Sequence, residues 1–374
     1  MMRNGFRPIA DAEAPDPWDS AVTRATFENV TTSQHIVPGQ PVSHPGPAAA
    51  DRITAASGIT LPIAASDLLG DNLPAGSVAS RDEDSADRST RPLGDLMVEV
   101  VEAAGADSGI VEFSALAMPR ISYCIPAIGD AAHPMSYSDT RESSGLMLHG
   151  TATVGFRRDP SDDSRLLTRW VHMHAAWTDA DGTLHGGHLW PASRTADPLA
   201  HATVWPLYGI TLVNSLDEET RMPVFAPLPT SVTSAGRAQL RARSGARPAV
   251  FARVRPNVDI AWAVATLGRE HGLAGGSVRG GCGSLTGALF DDGRVVEGPA
   301  TEIIALSGRI AQGPTALSAS VISASGRVHG GRLAARGNLV SVTYDLMLTG
   351  PPADEPLDEL SSSPRRRPHG GSDR

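Results

Sequence analysis

The sequence predicts a mixed protein of helix and strand, strands and loops outweighing long helices, in which one supersecondary unit is used twice. Three observations lead there. The composition, 41% hydrophobic and 20% charged, describes a globular chain, and 38 glycines with 29 prolines require many turns. Each half opens on a helix-period segment followed by strand-like runs. A stretch of the first half then recurs in the second without a gap. A chain of 374 residues is long enough for two domains, each with its own core.

Residues 1–48 are rich in Pro, Ala, Asp and Ser without periodicity, the composition of a disordered arm. In "LGDLMVEVVEAAGADSG" the apolar Leu96, Val100, Val101 and Ala104 recur at helical spacing until Gly105 and Gly109 end the pattern. The polar run "SRDEDSADRSTRP" before it reads as a solvated loop. Strand-like "GIVEFSALAM" and "ISYCIPAIG" follow. A first domain at 49–228 then gives way to linker composition at 229–247, with room for one short helix. The second domain, 248–350, repeats the plan: "NVDIAWAVATLGREHGLAGG" places Ile260, Val264 and Leu267 on one face, and "GSVRGGCGSLTGALF" reads as strand. The tail 351–374, ending "SSSPRRRPHGGSDR", reads as disordered.

The repeat is "HMHAAWTDADGTLHGGHL" (172–189) against "ALSASVISASGRVHGGRL" (316–333). Ala175, Gly182, His185, Gly186, Gly187 and Leu189 match Ala319, Gly326, His329, Gly330, Gly331 and Leu333. Upstream, "LMLHGTATV" parallels "IIALSGRIA", which makes Gly150 equivalent to Gly308. The first copy then carries the polar insertion "RRDPSDDSR", of the kind a hairpin loop tolerates.

His172 and His174 are two apart, so on a strand both rings leave the same face. "DADG" at 179–182 turns the chain back towards His188. A loop centred between Ala180 and Asp181 would set His174 opposite Gly187 and turn His188 away. An odd-residue loop, or a bulge at Gly186–Gly187, would set His188 opposite His174. Three imidazoles on one face suit Zn²⁺, with a fourth position for water or a ligand. His185 persists as His329 and therefore reads as a structural hairpin residue. Ala316, Ser318 and Arg332 replace the triad in the second copy, which cannot hold metal in the same way; Arg332 suits an acidic group or an anion. Asp139 is either a pocket residue or part of a solvated loop with Arg141 and Glu142. His149 is either an outer-sphere partner of the site or a buried strand histidine. Cys282 in "RGGCGS" has no base partner in sequence and reads as a small buried residue of a glycine-rich turn.

Other classes are disfavoured. With 41 acidic against 32 basic residues and a net charge of -9, the mean field repels phosphate backbones, so non-specific DNA binding is not expected. Every basic residue is arginine, which excludes lysine Schiff-base chemistry and a phosphate-loop lysine. Two distant cysteines fit a reducing cytoplasm, and no apolar run is long enough to span a bilayer.

"TEIIALSGRI" and "SASGRVHGGRLAARGNLVSVTYDLML" resemble the plants-and-prokaryotes-conserved (PPC) domain. The first copy resembles its bacterial branch through "YSDT" at 137–140, the His-x-His pair and "GGHL". The resemblance implies an α+β fold with a mostly antiparallel sheet and one main helix per domain, usually assembled as a trimer. It also matches Glu302 to a strand glutamate of the family, a possible acid or base for which pairing with an arginine is the preferred role. Plant relatives sit beside AT-hooks in nuclear DNA-binding proteins, but no Arg-Gly-Arg-Pro core occurs here and "PRRRP" at 364–368 is a poor substitute. The expected function is of binding or regulatory type, with DNA binding implied by family analogy alone: a homo-oligomer, associating through its domains, with a zinc site in its first domain and a protein partner or small-molecule ligand. The alternative is a zinc-dependent enzyme acting on a small molecule through metal-bound water.

Overall fold

A computed structural model describes residues 38–69, 90–130, 133–158, 167–197, 199–298, 301–311 and 315–351. Most of the expected arm, the tail beyond 351, nearly all of the 80–92 loop and the core of the "RRDPSDDSR" insertion lie outside the described residues. The part of the arm that is described is held down. Val42 is buried, its N–H donates to Asn257 Oδ1 at 2.7 Å, and His44 Nε2 lies 2.7 Å from the Ser341 carbonyl.

In chain order the principal elements of the first part are β1 (Ile53–Thr60), α1 (Leu93–Ala103), β2 (Gly109–Phe113), β3 (Leu116–Cys124), β4 (Arg141–Arg158), β5 (Leu167–Thr178), β6 (Leu184–Leu189), β7 (Ala202–Pro206), β8 (Ile210–Leu216) and β9 (Pro223–Pro229). Next come α2 (Ser234–Arg241), β10 (Arg247–Val254), α3 (Ile260–Glu270), β11 (Ser277–Arg279), β12 (Gly283–Leu285), β13 (Thr301–Arg309), β14 (Leu317–Ser323), β15 (Val328–Arg332) and β16 (Val340–Thr349). The fold is α+β, its strand pairs antiparallel except for β8 along β4. No described helix is long and apolar enough to cross a membrane.

Both helices form where the apolar spacing predicts. α1 buries Leu93, Leu96, Met97, Val100 and Val101, a stripe at steps of three and four, and ends at Gly105, whose φ of 76° suits glycine. α3 starts on Asp259, whose carboxylate accepts from Trp262 N, and ends before Gly272 at φ 65°.

The two halves share one strand order, β7-β2-β4-β5-β6 in the first and β16-β11-β13-β14-β15 in the second. One expectation is corrected. β1, counted from the sequence with the first domain, pairs along β10 from Ile53 opposite Val254 to Thr60 opposite Arg247, and so extends the second sheet. A second correction concerns the repeat. Both β4 and β13 carry a bulge, between Met147 and His149 and between Ile303 and Ala305. Leu146 stands opposite Thr178, as Glu302 stands opposite Ile322. Glu302 therefore corresponds to Leu146, bulged Ile304 to Leu148, and Gly150 to Leu306 rather than Gly308. Identity at one glycine had set the alignment two residues off; the register decides it.

The sheets of the two halves pack together. Ile304 and Ile322 lie in the core of the first domain, and Ile110, Trp205 and Phe225 share a cluster with Phe251 and Met347. Buried Asp217 adds an ionic tie, with Arg253 Nη2 and Arg255 Nη1 each 2.9 Å from its Oδ1 and Thr220 donating to Oδ2. Burial raises the Asp217 pKa, but Arg253, Thr220 and Arg255 outweigh it and hold the carboxyl well below the usual range. A carboxyl depressed in the folded state stabilises above its unfolded pKa of about 3.9 and loses that contribution as pH falls below it. Asp217→Asn is expected to cost roughly 1–3 kcal/mol at pH 7 and to flatten the fall in stability between about pH 5 and 2, read by denaturant titration at each pH.

Candidate metal centre

β5 offers His172 and His174 on one face, and the loop of residues 179–183 brings back β6 with His188 directly opposite His174. The loop is odd-numbered, and pairing runs unbroken from Leu184 to Leu189, so the glycine bulge is not the device used. Gly186 and Gly187 serve close approach instead. A Cβ on Gly186 would stand 2.7 Å from Ile304 Cδ1, and one on Gly187 would stand 2.6 Å from the Cys124 carbonyl oxygen. His185 has the expected hairpin role: its Nε2 lies 2.8 Å from Asp179 Oδ2 and its ring stacks on Trp177.

The three site rings lie 4.8, 5.1 and 5.3 Å apart between centroids. His174 Nδ1 is 2.8 Å from the Ile303 carbonyl, and His172 Nδ1 is 3.3 Å from Asp345 Oδ2. Each acceptor takes the Nδ1 proton, so both Nε2 lone pairs point inward, 3.1 Å from each other. Glu302 Oε1 closes the cluster, 3.3 Å from His174 Nε2 and 4.0 Å from His188 Nδ1. A tetrahedron of ligands about 2.05 Å from a zinc ion has edges of about 3.3 Å. Acceptors this close in a buried place need a cation between them, a proton or a metal.

Proton affinities fit that reading. Burial lowers the pKa of His174, but the charge of Glu302 and hydrogen bonds to Glu302 and Ile303 more than offset it and leave it raised. His188 is pushed well below its usual value, by burial first and then by His172 and His174, and keeps a free lone pair. Cys282 lies close enough to His172 and His174 to complete a donor group. Burial and then Asp345 hold its thiol protonated, however, and it donates to the His172 carbonyl at 3.4 Å. A bound metal would compete with that proton for the sulfur.

A pocket of about 60 Å³ opens on the cluster, lined also by Tyr137, Trp170, Trp190, Asn214 and Thr343. That is room for a few waters or the head of a small molecule. His188 Nδ1, Glu302 Oε2, Trp190 Nε1, Asn214 Oδ1 and Thr343 Oγ1 are all buried without a hydrogen-bond partner. Such concentrated unmet bonding capacity marks a place for ligands.

The other sequence candidates lie elsewhere. Asp139 is exposed and does not line the pocket, which Tyr137 reaches instead, its ring 5.0 Å from that of His188. His149 pairs opposite Ala176, outside the pocket, and burial lowers its pKa. Ala316 and Ser318 are exposed, and Arg332 meets an acidic group of its own domain, Asp291, at 3.4 Å. The expected arginine partner of Glu302 is corrected: this carboxylate, 1% exposed, faces His174 and His188. Asp345 and the Ile303 carbonyl were missed. Asp345 left one trace, a lone carboxylate inside the apolar strand Val340–Thr349.

Residues 241–350 match the model of the Plants and Prokaryotes Conserved (PCC) domain, the family expected from sequence. No curated protein matches the chain in sequence. Among solved structures, a metal-containing protein from Archaeoglobus fulgidus is 20% identical, with 36% of this chain and 84% of that one covered and a TM-score of 0.26. A plant- and prokaryote-conserved protein from Pyrococcus horikoshii is 15% identical over 38% and 90%, with a TM-score of 0.25. A candidate DNA-binding protein from Ralstonia eutropha is 15% identical over 36% and 83%, with a TM-score of 0.27.

Proposed function

We propose that this chain, which carries a Plants and Prokaryotes Conserved domain over residues 241–350, is a cytoplasmic, self-associating protein of binding or regulatory type that holds one Zn²⁺ between its two domains. The domains are read as 49–228 and 248–350, with β1 given to the second sheet. His172, His174 and His188 supply the nitrogen ligands, and Glu302 reaches in from the second domain. The observation that carries the reading is the convergence of two Nε2 atoms 3.1 Å apart, their Nδ1 atoms tied to Asp345 and Ile303. Outer acceptors of this kind fix the tautomer and orientation of metal-binding histidines. The pocket beside them suits a small polar ligand.

The second reading, a zinc-dependent enzyme, gains support from Glu302. A bound zinc would lower the pKa of a water to near neutrality. Glu302, buried with Oε2 unpartnered, stands where a base would receive a proton, and Tyr137, its hydroxyl kept protonated by burial and by Glu302, could donate one. Any DNA contact is read as indirect, through a partner, because the net charge is -9.

Titration of the metal-stripped chain with Zn²⁺ in a calorimeter tests both readings. One equivalent is expected to bind, with affinity that falls as pH is lowered because the histidines must be free of protons to bind metal. Absence of saturable binding would sink the site. A small-molecule substrate screen with and without chelator, repeated on Glu302→Gln, separates the two: chelator-sensitive turnover lost in the variant makes the chain an enzyme.

A further inference from the structure

We infer that the first domain displays a second copy of the surface by which the second domain docks, and that its occupant is the second domain of another copy of this chain. The inference rests on the self-association proposed above and assigns its surface. Inside one chain the docking contact consists of bulged Ile304, Ile322 and Val328, packed against the first domain's core over Gly186. Strand register makes Leu148, Thr178 and Leu184 their equivalents on the first domain. There the apolar side chains are open, Leu146 at 48%, Leu148 at 41% and Leu184 at 44% exposure, and no described residue covers them. Leu146, Thr178 and Leu184 are consecutive cross-strand partners, so they form one continuous row with Leu148 beside it.

The complementary half is open too. Gly330 is the equivalent of Gly186, but it is exposed, and a Cβ placed there would meet nothing nearer than Ser320 Oγ at 3.7 Å. The two unfilled halves also match each other chemically. In the contact within the chain, the Glu302 carboxylate faces histidines. At the open pair, Leu146 replaces the glutamate on one side, while Ala316, Ser318 and Arg332 replace His172, His174 and His188 on the other, with Asp291 of the same domain 3.4 Å from Arg332. Either change alone would bury a carboxylate or imidazoles without their partners; both together leave a contact that needs no metal, apolar except for Ser318 and for an arginine that Asp291 of its own domain already pairs. The contact is head-to-tail, each chain offering one surface of each kind, so two chains can close on each other or several can form a ring.

The test uses the full chain in light scattering at micromolar concentration. Wild type is expected at a multiple of the single-chain mass. Leu148→Arg and Gly330→Arg should each fall to single chains, self-association weakened about 100-fold or more by an unpaired charge in the contact. Mixed one to one, they should recover a dimer, because the first variant keeps a sound Gly330 side and the second a sound Leu148 side. A wild type of single-chain mass overturns the proposal and the self-association with it. Variants that keep the wild-type mass, or a mixture that stays at single chains, overturn only this surface. Neither substitution touches the histidines or Gly186, so zinc binding is expected to stay within about twofold of wild type and reports on the metal site separately.

Discussion

Purified His174→Ala protein is expected to contain almost no zinc where wild type carries about one equivalent per chain, measured by elemental analysis of the two side by side. His174 is the ring nearest the centre of the cluster, within 3.3 Å of both His172 and Glu302, and it is 1% exposed. Its removal takes away one ligand and leaves the Glu302 carboxylate and the Ile303 carbonyl without their donor. The metal-free variant should also lose about 1–3 kcal/mol of stability. Asp345→Asn grades the effect. It keeps every ligand and changes only what holds His172, so affinity should fall about 10–100-fold with stoichiometry unchanged. Equal metal content in wild type and His174→Ala would remove the site.

Ile304→Ala should have the largest effect of any substitution that touches no ligand. Ile304 is fully buried, and its Cδ1 approaches Gly186 where β6 begins its run to His188. Deleting most of this side chain leaves a cavity between the domains and is expected to cost about 2–5 kcal/mol. Zinc affinity should fall with it, because Glu302 and the Ile303 carbonyl sit on the same strand and would no longer be held against the histidines. Chemical denaturation and a zinc titration read the two effects. Unchanged affinity despite lost stability would show that the first domain binds metal alone.

The site was partly legible because β-strand geometry is local. Spacing two in sequence puts His172 and His174 on one face whatever the rest of the chain does, and the internal copy separates His185 from the triad through His329. The position of His188 was open, since it depended on whether the turn was odd or even, and hairpins of both kinds occur. Glu302 stands out in the sequence but its partner does not: a buried carboxylate asks for a cation, and arginine is the common one. Its histidines lie far away in sequence, where only docking of the domains brings them near. The same limit misplaced β1, whose alternation shows a strand but not which sheet edge it joins.

Composition, helical periodicity and the repeat were enough to establish two α+β units, the helices at their observed places and a histidine pair sharing one face. These follow from propensities and periods that act over a few residues. Only the tertiary structure decided that the candidate metal centre belongs to neither domain alone. Three of its groups come from one sheet and the carboxylate from the other, together with the acceptors that orient two of the rings. Which surfaces meet depends on shape and on burial summed over both sheets, and no local pattern encodes that sum.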